Sequence, residues 1–393
     1  MNHSFARRAC ALGLIALLLT ASGCAQQGIT VELTATPAPT AAEEPTDTAV
    51  EAPAATAAPT PAATPAPAAK PTSDQPLQAA SPDDVRAELT RAMRALEQPR
   101  PMDIAAAGFS DPLLDVKNLY HGITAEQPEL RYTYDLTVEV EGKLLRCTAH
   151  YMPYKTGEFP EGFVGQEIGG IVQLVELAQR SIGEAPVPVR ITDPSLDPDE
   201  MTRALWQAGG GYVLCSLSAD GTQITFSAPV GYTMAQCLDA LAEADRLADE
   251  VIASVVTPGM TQRQRAEALY DYVVTNVRYD QRYYSDRGSM PYESQTALGA
   301  LRDNLAICGG YANAMKLLLE KADIPCVNVT GSYFSENHMW NCAYIDGQWL
   351  YLDATADRGG LRTRFLLTGD ELSALGTHTW EREQVEALTR AYP

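Results

Sequence analysis

Asp346-Gly347 stands between two short segments, 338–345 and 348–353, in which aromatic and apolar residues alternate with others. Asp-Gly suits a two-residue hairpin loop, because both central positions of such a turn favour φ > 0. The pair therefore commits these residues to two antiparallel strands and fixes their register. Ile345 falls opposite Gln348, and counting outward sets Asp353 opposite Trp340. His338 lies two places from Trp340 on the same face, which makes it a diagonal neighbour of Asp353, within reach of a long side chain.

Upstream, Ile307-Cys308-Gly309-Gly310-Tyr311-Ala312 passes into a helix-forming run over 313–320. A cysteine that opens a helix feels the positive end of the dipole, which favours the thiolate. Glycines behind it leave room for a substrate carbonyl to approach the sulfur and for backbone N–H groups to face a developing oxyanion. A carboxylate that accepts from one imidazole nitrogen frees the other to take a thiol proton. Cys308, His338 and Asp353 thus suit a thiol-nucleophile triad that attacks an acyl group. Among competitors for the orienting role, Asp346 is used by the turn, Asp357 falls in an expected loop and Asn341 follows the histidine along its strand. Zinc on Cys308, His338 and Asp353 is a rival reading, but no Cys-x-x-Cys or His-x-x-x-His spacing accompanies them.

These elements resemble the core of the transglutaminase-like superfamily: Cys308-Gly309-Gly310-Tyr311-Ala312, with one extra glycine, His338-Met339-Trp340-Asn341 and Asp353-Ala354-Thr355. The likeness extends to a helix over 261–274 and to Val277-Arg278-Tyr279-Asp280, and covers roughly residues 235–375. It implies an α+β, papain-like fold with the nucleophile helix packed on an antiparallel sheet. Members of the superfamily include crosslinkers, deamidases, peptidases and glycanases that share a thioester-forming cysteine, and some have lost the triad. A surface-anchored amide hydrolase or acyltransferase acting on a peptide or protein is therefore expected, with peptide hydrolysis favoured. A protein-crosslinking transglutaminase and a non-catalytic surface scaffold are the alternatives. No Asp-x-Asp-x-Asp-Gly run is present, so a reaction without metal or cofactor is the simpler reading.

The amino terminus reads as export machinery. Arg7 and Arg8 precede an apolar stretch from Cys10 to Leu19, too short to span a bilayer, and Thr20-Ala21-Ser22-Gly23-Cys24 resembles a bacterial lipoprotein signal. Residues 1–24 are expected to act as the signal peptide, with Cys24 the lipidation site. Residues 25–80, dominated by Ala, Thr and Pro, suit a disordered linker reaching on the order of 170 Å at about 3.1 Å per residue. The folded part is thereby expected outside the cytoplasm, lipid-anchored to the bacterial cell membrane, with a substrate that could be cell-wall associated. A formal net charge of −21 argues against a nucleic-acid partner. Cys147, Cys215, Cys237, Cys308, Cys326 and Cys342 show irregular spacing that argues against a disulfide framework.

Residues 81–234 carry no recognisable chemistry and are assigned to an α+β accessory module, with 235–393 as the transglutaminase-like domain. Ser81 caps an expected helix to residue 96, and a second helix falls near 114–120. A strand pair is expected over 130–151 and a helix over 166–181. A hairpin over 212–229, turning at Asp220-Gly221, and a helix over 234–253 then follow. Two hairpin-plus-helix units suggest a repeated module that serves as spacer, partner surface or substrate platform. Trp340, Trp349 and Tyr351 are expected in the core, Trp340 being the one tied to the histidine. His121, His150 and His378 show no partner pattern and are expected as satisfied surface or core residues.

Overall fold

Residues 75–183 and 185–390 are described by the computed structural model, so the expected signal segment, Cys24 and the linker as far as residue 74 lie outside the described residues. The chain first forms β1 (Leu77–Gln78), α1 (Pro82–Ala95), β2 (Met102–Asp103), α2 (Pro112–Glu126), β3 (Thr133–Glu141) and β4 (Leu144–Tyr151). After the short α3 (Pro153–Thr156) come β5 (Gln166–Ile168), α4 (Ile171–Arg180), β6 (Val187–Ile191), α5 (Pro198–Trp206), β7 (Leu214–Leu217) and β8 (Gln223–Ser227). The first sheet has the order β1-β2-β4-β3 and the second β5-β6-β8-β7. In each, the first pair is parallel and the others antiparallel. Both halves therefore share one βαβαββ topology, an internal repeat at the level of the fold.

Local chemistry repeats as well. Helices α2 and α5 each begin at an Asp-Pro step, where the Asp side chain accepts backbone N–H groups and Pro occupies a position that needs no donor. Both hairpins turn through a glycine in the left-handed region, Gly142 at φ 62° and Gly221 at φ 73°. Two sequence expectations are corrected here. Residues 166–181 are not one helix, because Gly169-Gly170 separates β5 from α4 and Gly170 is extended at the cap. The expected linker ends before residue 80, because Leu77 and Gln78 pair with Met102 and Asp103, and Ala79 is buried.

Beyond the repeat lie α6 (Met234–Val255), α7 (Gln262–Asn276), β9 (Arg278–Tyr279), α8 (Arg282–Ser285), α9 (Ala297–Arg302) and β10 (Leu305–Ala306). They lead to α10 (Cys308–Lys321), β11 (Cys326–Tyr333), β12 (Glu336–Ile345), β13 (Gln348–Leu352), α11 (Gly369–Ala374), β14 (His378–Thr379) and α12 (Arg382–Arg390). The four strands form an antiparallel sheet in the order β13-β12-β11-β14. Helix α10 is buried along Ala314, Met315, Leu318 and Leu319, in one core with Val327, Val329 and Ala343 of the sheet.

That core also takes in Leu174, Ile191, Leu205 and Tyr212 from the second repeat unit. The first unit instead closes its own core around Val85, Leu89, Met93, Ile123 and Leu145. Residue 234 therefore does not divide two cores, as the expected boundary implied; the apolar clusters divide near residue 151. The second unit is also tied to β11 by a paired amide contact. Gln207 Nε2 donates to Asn328 O at 2.8 Å, and Asn328 N donates to Gln207 Oε1 at 2.7 Å. Among the described residues, none of the six cysteines is in a disulfide and no helix is long and apolar enough to cross a membrane.

Candidate active site

The hairpin register runs Ile345↔Gln348 to Asn341↔Leu352, as the Asp-Gly turn requires. Asp346 at φ 52° and Gly347 at φ 83° occupy the left-handed region at both turn positions. Asp353 follows directly on β13, and its Oδ2 lies 2.8 Å from His338 Nε2. The structure thus brings His338 and Asp353 together. Asp353 is 1% exposed.

A second imidazole meets the same oxygen. His378 Nε2 lies 2.9 Å from Asp353 Oδ2, while the backbone N–H of Ala356 donates to Oδ1 at 3.0 Å. Burial pushes the Asp353 carboxyl up, but the charge on His338 and the hydrogen bonds from His338, His378 and Ala356 outweigh it and hold the group well below the usual carboxylate range. Asp353 is ionised, so both Nε2 atoms carry hydrogen and donate to it. In its neutral form, His338 with Nε2–H so placed keeps its lone pair on Nδ1, the tautomer that a base acting through Nδ1 requires. The sequence reading missed His378, giving it a default role. It sits 25 residues beyond Asp353 on a two-residue strand, and only the pairing Tyr333↔His378 brings it back to the site.

His338, Asp353 and His378 are also a set of possible metal ligands, with ligand atoms within 4.8 Å of one another. Their N···O separations of 2.8 and 2.9 Å are those of hydrogen bonds, and a metal on His338 Nε2 would displace the contact that orients the ring.

Cys308 is the first residue of α10 and is 4% exposed. Ile307, the cap residue, is extended and contributes no side-chain cap. Its backbone N–H donates to Ser294 O at 2.7 Å, which pins the helix start to the segment before α9. The two glycines behind Cys308 serve this approach. A Cβ on Gly310 would stand 2.5 Å from Ser294 O and 2.7 Å from Ala306 Cβ, and one on Gly309 would stand 3.2 Å from Gln295 O. Tyr311 OH donates to Val277 O at 2.5 Å and anchors the first turn from its other side.

Beside the histidine, a cleft of about 210 Å³ is lined by Tyr279, Tyr283, Tyr284, Tyr333, Phe334 and His338, among others. Tyr279 links it to Cys308. Burial first, then negative charge at Cys308, push its phenol up. Tyr284 and Phe334 are exposed at the rim.

The other expected competitors prove structural. Asn341 Nδ2 donates to Ala312 O at 3.0 Å and to Asn328 Oδ1 at 2.9 Å, locking β12 to α10. Asp357 is fully buried and accepts from Tyr270 OH, Thr363 Oγ1 and Arg364 N, so it organises the loop behind Asp353. Trp340 is 1% exposed and stacks on His338 at 5.8 Å, with its edge toward His378 at 5.1 Å. It is both core residue and wall of the imidazole pair.

A cysteine at a helix start, over an antiparallel sheet whose strands supply a histidine and an aspartate, defines a mixed α+β core of the transglutaminase-like kind. Residues 246–354 match the transglutaminase-like superfamily, and this chain carries such a core. Over 123 residues it is 24% identical to the kyphoscoliosis peptidase of Homo sapiens and 23% to that of Mus musculus, covering 28% of this chain in each case. The chain spans only 18% of the length of these curated relatives. Among solved structures, a TGase is similar at 18% identity and a TM-score of 0.27, over 43% of this chain and 51% of the other.

Proposed function

We propose that the protein is a cysteine-dependent amide hydrolase or acyltransferase in which Cys308 is the nucleophile, His338 the base and Asp353 the orienting carboxylate. The hydrogen bond from His338 Nε2 to the buried, ionised Asp353 carries this reading, since it leaves Nδ1 to accept a proton. His338 takes the Cys308 proton and the thiolate attacks an amide carbon. As the tetrahedral species collapses, the C–N bond breaks and the imidazolium protonates the leaving nitrogen, which leaves a thioester. Water then attacks, giving up a proton to His338, and the acid and free thiol are released. The peptidase name of the similar human and mouse proteins supports peptide hydrolysis over transfer to a second amine.

The signal-like segment and Cys24 support a lipid-anchored, extracytoplasmic protein whose cleft meets peptides outside the membrane. Iodoacetamide labelling tests the site. An active triad gives rapid alkylation of Cys308 that persists below neutral pH and slows when His338 is replaced by Ala. If Cys308 labels no faster than an ordinary exposed thiol, the protein is a scaffold on this fold. Peptide libraries incubated with wild type and Cys308→Ser then separate hydrolysis from crosslinking by the products formed.

A further inference from the structure

We propose that His378 is a positioning residue of the site, a second imidazole donor that clamps the Asp353 carboxylate in the orientation that serves His338. The inference rests on the reading of Cys308, His338 and Asp353 as a triad. Asp353 Oδ2 receives both imidazoles, at 2.8 and 2.9 Å, while Oδ1 receives the Ala356 N–H at 3.0 Å. Three donors on two oxygens leave the carboxylate no free rotation. An orienting carboxylate with one partner can swing away from its histidine, but this one cannot do so without breaking two further bonds.

The clamp is itself held in place. His378 Nδ1 lies 2.9 Å from Thr377 Oγ1. With Nε2–H committed to the carboxylate, Nδ1 pairs with the Thr377 hydroxyl, so both ring nitrogens are engaged. Its side chain is fully buried. Tyr333 covers one side at 5.0 Å and Trp340 another at 5.1 Å, and the ring of His338 is 6.0 Å away. Arg364 lies over the Tyr333 ring, 5.5 Å from its centroid. A donor with no freedom to turn suits fixing a carboxylate.

The test uses the full chain, with histidine-selective ¹⁵N labelling and the alkylation rate of Cys308 read together; five histidines in the sequence keep the spectra assignable. In wild type, His338 shows the Nε2–H tautomer. In His378→Leu, which removes the donor, His338 becomes a mixture of tautomers and Cys308 alkylation at neutral pH falls by about tenfold or more. In His378→Gln, whose amide can again donate, the tautomer and most of the rate return. A merely structural role would leave both readouts unchanged in any folded variant. Wild-type tautomer and rate in His378→Leu would overturn the clamp. Should His378→Leu not fold, Thr377→Val decides: it frees the His378 ring to change tautomer and is expected to lower the rate several-fold, and an unchanged spectrum and rate would overturn the proposal. Failure of the triad reading looks different, since Cys308 would then be slow in wild type and indifferent to His338→Ala while the His338 tautomer still reports on the clamp.

Discussion

The phenol of Tyr270 donates to the Asp357 carboxylate at 2.8 Å and lies 3.0 Å from the backbone oxygen of Asp353. One hydroxyl on α7 thus ties together the strand end that leads into Asp353 and the loop that closes behind it. Tyr270 is fully buried, and burial followed by the nearby Asp357 charge pushes its phenol far above the usual range, so it remains a donor at every working pH. Tyr270→Phe removes that donor and leaves a buried carboxylate short of a partner. Urea denaturation is expected to show a loss of about 1–3 kcal/mol. The His338–Asp353 pair should survive, so alkylation of Cys308 in the folded variant is expected to fall less than in His338→Ala.

The acid side of the stability curve should carry the signature of Asp353. Its carboxyl is held below the ordinary range in the folded protein, so the folded state binds its proton less readily than the unfolded chain. Stability from this group is therefore fully present above about pH 4 and is lost as pH falls from there through the depressed folded value. Urea unfolding of wild type between pH 6 and 2 is expected to weaken more steeply than that of Asp353→Asn, which has no carboxylate to protonate. Equal slopes would mean that the two imidazoles do not hold the charge.

Gly310→Ala is expected to cost about 1–3 kcal/mol, because its Cβ would meet backbone oxygen and a methyl group that cannot swing aside. Gly309→Ala meets Gln295 O at 3.2 Å and should cost less. Thermal melts of the two variants give the order. The same pair tests what the glycines are for. If both fold as wild type and only alkylation slows, access to the sulfur and not helix packing is their role.

The hairpin was legible because its determinants are local. Two residues that favour φ > 0 set the register, and the register set His338 beside Asp353. The two long hairpins were legible for the same reason, but the unit that repeats is not the expected hairpin followed by a helix: it is βαβαββ, and α6 falls outside it. Its parallel pairs β1/β2 and β5/β6 were hidden, since a two- or three-residue strand carries no periodicity. His378 was hidden by distance along the chain. Nothing in Thr377-His378-Thr379 announces that a two-residue strand will add to the far edge of the sheet and point an imidazole at Asp353. The packing demand on the glycines after Cys308 was not legible, because the neighbours that make it, Ser294 and Gln295, lie in another segment.

Phe334 and Tyr284 stand at the cleft rim, 66% and 60% exposed, above walls formed by Tyr279 and Tyr333. Phe334 holds φ 47° and Ser335 φ 71° at the tip between β11 and β12, a backbone that residues with side chains adopt at a cost. Tyr284 OH is fixed by Glu336 at 2.8 Å. Rings held in place at little entropic cost make good contact surface for a peptide chain. With a peptide substrate found by the library experiment, Phe334→Ala is expected to raise KM by about three- to tenfold and leave kcat within twofold, the pattern of lost uniform binding. Steady-state kinetics over a range of peptide concentrations reads the split. A fall in kcat with KM unchanged would instead place Phe334 in the alignment of the reacting amide, and no change in either would remove the rim from the binding site.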